Sequence, residues 1–300
     1  MKRLVVTADD FGAAREINDA VEAAHRGGIL SAASLMVGAP AAADAVARAL
    51  RMPSLRVGLH VVLVEGRPVL PVSQVAELVD GNGFFRADMA ALGAAISFGR
   101  QARRQLAAEI TAQFAAFRAT GLVLDHCNAH KHFHLHPVVG RLIAAIGVGF
   151  GLRAVRVPSE PLKVLRRIER HTPGTQRLLL LPFALWLHRR VRAAGLLAPD
   201  RVFGLQWSGR MTKSRLCGLI RNLPDGLSEI YLHPATGPFP GAVPDYRYRE
   251  EFDALMDSEV AAACREVALR LGGFGDFLGP ESALHRVPAP TGLARRCMRP

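Results

Sequence analysis

The sequence predicts an α/β protein with a mainly parallel sheet, arranged either as a barrel or as an open sheet. Short apolar runs of strand length alternate along the chain with longer segments in which apolar residues recur every three or four positions, a pattern typical of successive strand-helix units. The 300 residues, half of them apolar and 21% charged, can bury a full core. Barrels of this length are commonly one domain, so we expect a single domain.

The elements follow in order. Residues 4–6 form the first strand-like run, and Ile17, Ala20, Val21 and Ala24 then recur at helical spacing. Further strands are predicted at 33–37, 57–64, 122–126, 154–157, 203–207 and 229–233. Helices are predicted at 41–51, 101–119, 138–146, 213–222 and 250–271. In either architecture, functional sites form at the carboxyl ends of the strands.

The net charge of +12 attracts phosphate groups, whether of nucleic acid or of an anionic lipid surface. A nucleic-acid-binding protein would interleave its basic residues with exposed aromatic ones. Phe, Tyr and Trp together make up only 6% of the chain, and no zinc-finger or RNA-binding signature occurs. We therefore expect no nucleic-acid partner.

The cysteines and the amino-terminal sequence suggest a compartment. The four cysteines are far apart and form no CxxC pair, which argues against a disulfide framework and against a cysteine-rich zinc site. The apolar run after Met1 is too short for a signal peptide. We expect a cytoplasmic protein.

The predicted domain comprises residues 1–286, and two segments of the chain stand out. Residues 177–197, within an insertion near 160–200, combine an apolar run with arginines. This segment predicts either an interfacial helix that contacts an anionic membrane from its inner face or a buried helix with a basic end. Residues 287–300 lack apolar periodicity and are predicted to be a flexible basic tail.

Asp9 and Asp10 follow the first strand, where successive side chains point to opposite sides. One carboxylate could bind a metal ion while the other accepts a proton from water. The alternative is that one of them caps the following helix.

Histidine occupies every second position from His130 to His136. On an extended segment this spacing places all four imidazoles on one side. Imidazole is the commonest metal ligand among side chains, but a site with an open position needs only about three protein ligands. A surface histidine tract is the alternative interpretation.

Two further histidines lie at or near predicted strand ends. His60 lies in an apolar strand and, with one acid and one histidine of the alternating run, would give two-His-one-carboxylate coordination. His233 ends a late strand, where it could protonate a leaving group. Each could equally be a structural histidine.

The motifs TADDFG, GLH, DHCNAHKHFHLHP and LHPA occur in this order over almost the whole chain. In this combination the sequence resembles the YdjC/ChbG family of carbohydrate deacetylases and, within it, the hopanoid-biosynthesis-associated HpnK proteins. The resemblance implies a distorted (β/α) barrel with fewer than eight regular units. It also implies metal-dependent removal of the acetyl group from an N-acetylamino sugar, with release of acetate.

The resemblance also implies roles for individual residues. Asp9 is the general base and His233 the proton donor, while Asp10, His60 and His130 bind one divalent metal ion, Mg²⁺ or Zn²⁺. The residues assigned to substrate binding or orientation are Arg156, His132 and Asp125. Asp125 could replace an acid that is common in the family at the position of Asn128.

The HpnK resemblance implies a lipid-linked substrate, the N-acetylglucosaminyl group of bacteriohopanetetrol. Deacetylation of a soluble oligosaccharide such as diacetylchitobiose and a metal-dependent phosphoesterase activity are the alternatives. A homo-oligomer is compatible with the sequence, which does not fix the oligomeric state.

Overall fold

The structure, a computed structural model, describes residues 1–172 and 175–278. Its strands are β1 (Lys2–Phe11), β2 (Ala32–Leu35), β3 (Arg56–Val61), β4 (Cys127–Ala129), β5 (Arg201–Phe203), β6 (Gly226–Leu232) and β7 (Arg270–Leu271). The predicted tail, residues 287–300, lies outside the described residues.

The helices lie between and after these strands. They are α1 (Arg15–Gly27), α2 (Ala42–Leu50), α3 (Met89–Phe98), α4 (Arg100–Ala119), α5 (Pro137–Val148), α6 (Leu162–Ile168), α7 (Thr175–Ala193), α8 (Lys213–Asn222), α9 (Tyr248–Met256) and α10 (Ser258–Glu266). None of the helices in the described ranges is long and apolar enough to cross a membrane.

The strands form one parallel sheet in the order β4-β3-β2-β1-β6-β5, and β7 pairs with the start of β1. The central strand β1 is buried continuously from Leu4 to Asp9. Leu4, Val6 and Ala8 belong to the main apolar core, whereas Val5 packs in a separate cluster with Ala32 of β2 and Leu227 of β6. All these strands run in the same direction, so their carboxyl ends meet at one edge.

An extended segment joins the two outer strands of the curled sheet. Val155 bridges to Cys127 of β4 on one side, and the carbonyl oxygen of Ser159 accepts a hydrogen bond from Val202 of β5 on the other, at 3.0 Å. This arrangement confirms the prediction of a distorted barrel with fewer than eight regular strands.

Several element predictions are wrong in detail. The strand predicted at 203–207 is instead Arg201–Phe203, and the strand predicted at 154–157 has only isolated bridges, at Ala154 and Val155. Residues 122–126 precede β4, which begins only at Cys127, although the Asp125 amide and the His126 carbonyl oxygen already form hydrogen bonds with β3. The single helix predicted for 250–271 is two helices, since Asp257 ends α9 and its carboxylate accepts the Glu259 amide as the cap of α10.

Helix α7 buries one face and exposes the other. Ala184, Leu187 and Val191 are buried at helical spacing, whereas Phe183 and Leu185 are about half exposed. The helix packs against α5 and against the turn formed by residues 130–135, called the histidine-rich turn below. It therefore has the buried face of a core helix together with an exposed apolar face.

Candidate active site

Three side chains from separate strands meet at the carboxyl edge of the sheet. Asp10 is the penultimate residue of β1, His60 lies in β3, and His130 follows β4. Oδ1 of Asp10 lies 3.3 Å from Nε2 of His60 and 3.2 Å from Nδ1 of His130. Asp10 has a left-handed backbone (φ 61°), an unusual conformation for a non-glycine residue that asparagine and aspartate adopt more readily than most. The three residues are called the ligand triad below.

The ligand triad fits a single divalent cation. Its three ligand atoms lie within 4.8 Å of one another, and the triad is the only such group of ligating side chains among the described residues. Zinc binds nitrogen and oxygen at about 2.0–2.2 Å, so two donors on one tetrahedral ion lie about 3.3 Å apart. The separations from Asp10 to the two imidazoles match this value.

Asp9 belongs to a different cluster, which is built around a buried arginine. Both of its carboxylate oxygens accept from the Arg156 guanidinium, at 2.5 and 2.9 Å. Arg156 also donates to Glu229 at 2.7 and 3.0 Å, and Glu229 accepts from Thr7 at 2.8 Å. Tyr231 places its ring 4.5 Å from the guanidinium carbon. We call Asp9, Arg156 and Glu229 the arginine cluster; all three are buried.

The two acids remain ionised for different reasons. Burial alone would raise the pKa of Asp9, but the charges of Arg156 and then of His60 outweigh it and hold that pKa well below its usual range. Burial opposes ionisation of Asp10 too, and there His130 outweighs it and lowers the pKa. Burial likewise acts to lower the pKa of His60, yet the nearby carboxylates raise it.

His233 lies beside the ligand triad, just after β6. Its amide donates to Glu251 at 2.5 Å, which ties this strand end to α9. Its Nδ1 is buried and has no hydrogen-bond partner among the residues that the structure describes, and its ring lies 5.0 Å from the Tyr246 ring. Burial lowers the pKa of His233, and the neighbouring carboxylates oppose that shift.

These groups line one cavity of about 770 Å³. Six of the eight predicted site residues line this cavity: Asp9, Asp10, His60, His130, His132 and His233. The apolar side of the cavity is formed by Met89, Leu180, Phe183 and Leu205, and Tyr231 and Tyr246 add phenol groups. Arg156 is not a lining residue of this cavity, but it binds Asp9, which is one.

The alternating histidines do not lie on one side of an extended segment, contrary to the prediction. Residues 130–135 form a 3-10 turn in which Lys131 and His132 have left-handed backbones, with φ of 52° and 56°. The imidazoles therefore diverge. Nε2 of His132 lies 2.8 Å from the Tyr231 hydroxyl, His134 contacts the Arg156 carbonyl oxygen at 3.0 Å, and His136 caps α5.

Asp125 contacts a histidine, but that histidine is not one of the predicted site residues. Its carboxylate lies 3.0 Å from Nδ1 of His126 and accepts the amides of Phe274 and Gly275. It therefore orients His126, which is no member of the ligand triad. Asn128 is the residue that contacts the triad, because an amide atom of its side chain lies 2.6 Å from Nδ1 of His60.

Sequence reasoning missed Asn128, Glu229 and Glu251 as parts of the site. Asn128 is the register partner of His60 in the pairing of β3 with β4. Its other amide atom lies 2.9 Å from Ser34 and 3.0 Å from the Arg156 guanidinium. Asn128 thus links the ligand triad to the arginine cluster. The signal that could have found it is that register, which periodicity does not supply.

A family described as YdjC-like protein matches residues 3–266 of the chain. A carbohydrate deacetylase of Geobacillus stearothermophilus is 28% identical over 278 residues, which cover 91% of this chain and 97% of that protein. The carbohydrate deacetylase of Homo sapiens is 32% identical over 77% of this chain and 74% of its own length. One from Brevibacillus brevis is 38% identical over 46% of this chain, and the match spans about half (52%) of that relative.

A solved structure shares the fold over nearly the whole chain. An Enterococcus faecalis V583 protein, whose name refers to cellobiose-phosphate cleavage, superposes with a TM-score of 0.73 at 20% identity. The superposition covers 93% of this chain and 99% of that protein.

Proposed function

The chain belongs to the YdjC-like protein family, and we propose that it is a metal-dependent hydrolase that removes the acetyl group from an N-acetylamino sugar. The observation that carries the proposal is the ligand triad beside Asp9 and His233 in one cavity. The relatives described as carbohydrate deacetylases support the substrate class.

Asp10, His60 and His130 would hold the cation. A bound divalent cation lowers the pKa of water and polarises a carbonyl group, which is the chemistry that an unreactive amide needs. Two imidazoles and one carboxylate are a donor set that suits Zn²⁺, whereas Mg²⁺ prefers oxygen ligands. The donor set therefore favours Zn²⁺ over Mg²⁺.

Asp9 is the proposed general base. The bidentate contact with Arg156 fixes its carboxylate in one orientation and keeps it ionised. In the reaction Asp9 accepts a proton from the attacking water, while the water oxygen bonds to the amide carbon. Arg156 is thus a positioning residue, since it acts through Asp9.

His233 is the proposed proton donor. The amide C–N bond breaks with its electron pair on nitrogen, so the departing amine needs a proton. His233 lines the cavity, and the lowered pKa makes its protonated form a stronger acid toward a basic amine. The products are a carboxylate and an amino sugar.

The N-acetylglucosaminyl group of bacteriohopanetetrol, a hopanoid lipid, is the substrate that we propose. Leu180 and Phe183 of α7 supply apolar surface to the cavity that contains the catalytic groups. A lipid-linked sugar would place its apolar part against such a surface. Diacetylchitobiose, which has no lipid part, is the alternative substrate.

The deacetylation test compares two acetylated substrates. Protein loaded with Zn²⁺ or Mg²⁺ is incubated with N-acetylglucosaminyl bacteriohopanetetrol or with diacetylchitobiose, and mass spectrometry follows the loss of one acetyl group. We expect loss from the lipid-linked sugar and none after chelation. Hydrolysis of p-nitrophenyl phosphate with both sugars left intact would instead indicate a phosphoesterase.

The exposed face of α7 supports peripheral contact with an anionic membrane. Phe183 and Leu185 are exposed, and Arg190 lies over the Trp186 ring at 5.6 Å. Apolar side chains beside arginines favour binding at a lipid headgroup layer. We expect sedimentation with anionic liposomes, reduced in Phe183→Ser and unchanged in Val123→Ser, which alters an exposed apolar residue outside α7. Equal loss in both variants would contradict this role.

A further inference from the structure

A second cavity, of about 610 Å³, adjoins the ligand triad. It shares Asp10, His130 and Val243 with the first cavity, so these residues form the partition between the two. Its walls are mostly apolar, with side chains that include Ile17, Met36, Val64, Val69, Phe84 and Phe239. The volume lies in the range of small-molecule sites.

The polar groups near this second cavity are largely paired. Glu65 forms an ion pair with Lys131, and the Arg67 guanidinium lies over the Phe84 ring at 4.2 Å. Gln113 donates to the Val62 carbonyl oxygen and accepts from the Val62 amide. What the second cavity offers a ligand is therefore mainly apolar surface.

The catalytic groups are distributed unevenly between the cavities. Within the described ranges, Asp9, His60 and His233 line the first cavity and do not line the second. His233 must reach the amine nitrogen to protonate it. The amine half of the substrate, which carries the sugar, therefore belongs in the first cavity.

The amide carbon is trigonal, so its acyl substituent points away from its nitrogen. With nitrogen on the His233 side and the carbonyl at the ligand triad, the acyl substituent would lie on the side of the triad away from His233, and Asp10 and His130 of the triad also line the second cavity. The methyl of an acetyl group occupies about the volume of one water molecule, roughly 30 Å³. The second cavity is many times larger.

We propose that the second cavity is an acyl subsite and that the protein also hydrolyses N-acylated amino sugars whose acyl chain is longer than acetyl, up to about hexanoyl. The inference rests on the proposed hydrolase function and extends it to the acyl half. The reaction balances as in deacetylation: water adds its oxygen to the acyl carbon, the C–N bond breaks, and the products are a fatty carboxylate and a protonated amine.

The kinetic test uses N-acetyl-, N-butanoyl- and N-hexanoylglucosamine carried on one common aglycone. We expect kcat/KM to rise by about threefold to fourfold for each added methylene, the gain that burial of one such group provides. A fall in kcat/KM from acetyl to hexanoyl would overturn the proposal.

Bulky substitutions locate the effect. Ala39→Trp fills the second cavity from its wall and Val69→Trp from its half-exposed rim. Ala43→Trp is the matched control, because Ala43 lies on the neighbouring helix α2 and lines neither cavity. We expect the hexanoyl-to-acetyl ratio of kcat/KM to fall at least about tenfold, the loss of two buried methylenes, in the first two variants and to stay unchanged in the control.

A second series holds the acetyl group constant and lengthens the aglycone from methyl to octyl. If Ala39→Trp lowers the octyl-to-methyl ratio and leaves the hexanoyl-to-acetyl ratio intact, the second cavity binds the aglycone and the proposal is wrong. If Ala39→Trp lowers only the hexanoyl-to-acetyl ratio, the acyl assignment holds.

Binding of hexanamide and acetamide, followed by ligand-observed NMR on metal-free protein, tests the cavity without turnover. We expect hexanamide to bind the wild type and Ala43→Trp more strongly than acetamide does, and to lose that advantage in Ala39→Trp. Equal binding to all three proteins would overturn the proposal. If no N-acyl sugar is hydrolysed, the proposed function fails, and the NMR result still decides whether the cavity binds acyl groups.

Discussion

The ligand triad and the arginine cluster lie next to each other but are built in opposite ways. Asp10 faces two imidazoles that can give up their protons to a cation, whereas Asp9 is held by a permanently charged guanidinium. The triad can therefore give up its imidazole protons and bind a metal ion in their place. The arginine cluster keeps its fixed positive charge. Consecutive carboxylates acquire separate chemistry because the strand points them to different neighbours.

The largest expected effect comes from removing the charge at the centre of the arginine cluster. In Arg156→Met the carboxylates of Asp9 and Glu229 stay buried without their cation, and breaking such a pair costs about 3–5 kcal/mol of unfolding free energy. Urea denaturation measures this loss. Arg249→Met removes an exposed pair with Asp253 and should cost at most about 1 kcal/mol. Equal losses of unfolding free energy in both variants would mean that the arginine cluster contributes no more to stability than an exposed ion pair does.

Asp9→Asn separates the two regions by function. The amide cannot accept a proton from water, so kcat should fall by about 10²- to 10⁴-fold, the usual contribution of a general base. The ligand triad is untouched, so the protein should still bind one equivalent of metal, measured by calorimetry. Unchanged turnover with metal bound would assign the base to another group.

Asn128→Ala tests the link between the regions. Loss of the contact with Nδ1 of His60 leaves that ring free to turn, and the metal affinity should fall by about 10- to 100-fold. Asn222→Ala is the control, since Asn222 donates to a carbonyl of its own helix, α8. An affinity equal to that of the control would show that His60 is oriented without Asn128.

Glu251 is a third buried carboxyl group at the site. Unlike Asp9 and Asp10, it accepts hydrogen bonds from backbone amides, those of Met211 and His233. Burial raises its pKa from 4.5 to about 8, while the amides of Met211 and His233 act to lower it. Between these two pKa values the folded state holds a proton that the unfolded state has lost, so the contribution of Glu251 to stability is greatest below pH 4.5 and falls as the pH rises toward 8. One such proton contributes a slope of about 1.4 kcal/mol per pH unit at most.

Denaturation of Glu251→Gln at pH 5, 6, 7 and 8 measures that slope. We expect the variant to lose less unfolding free energy than the wild type between pH 5 and pH 8, because glutamine does not titrate. The same slope in both proteins would place the titration elsewhere.

The sequence was sufficient for features that depend on local pattern. The apolar run of β1 followed by Asp9 and Asp10, the strand that carries His60, and most helices follow from periodicity. The ligand triad could be predicted because parallel strands bring their carboxyl ends together, and because the motifs resemble those of a known family.

Features that depend on pairing between distant segments could not be predicted. Asn128 contacts His60 only because β3 and β4 pair in one register. The histidine-rich turn departs from its period-two pattern because His132 contacts Tyr231 and Lys131 pairs with Glu65, and both residues adopt left-handed backbones. Local alternation carries no information about such tertiary contacts.

Anomalous diffraction at the zinc edge, from crystals grown with Zn²⁺, tests the central claim most directly. We predict one strong peak at about 2.0–2.2 Å from a carboxylate oxygen of Asp10, Nε2 of His60 and Nδ1 of His130. A peak bound instead by other histidines, or none at the triad at saturating metal, would contradict the account.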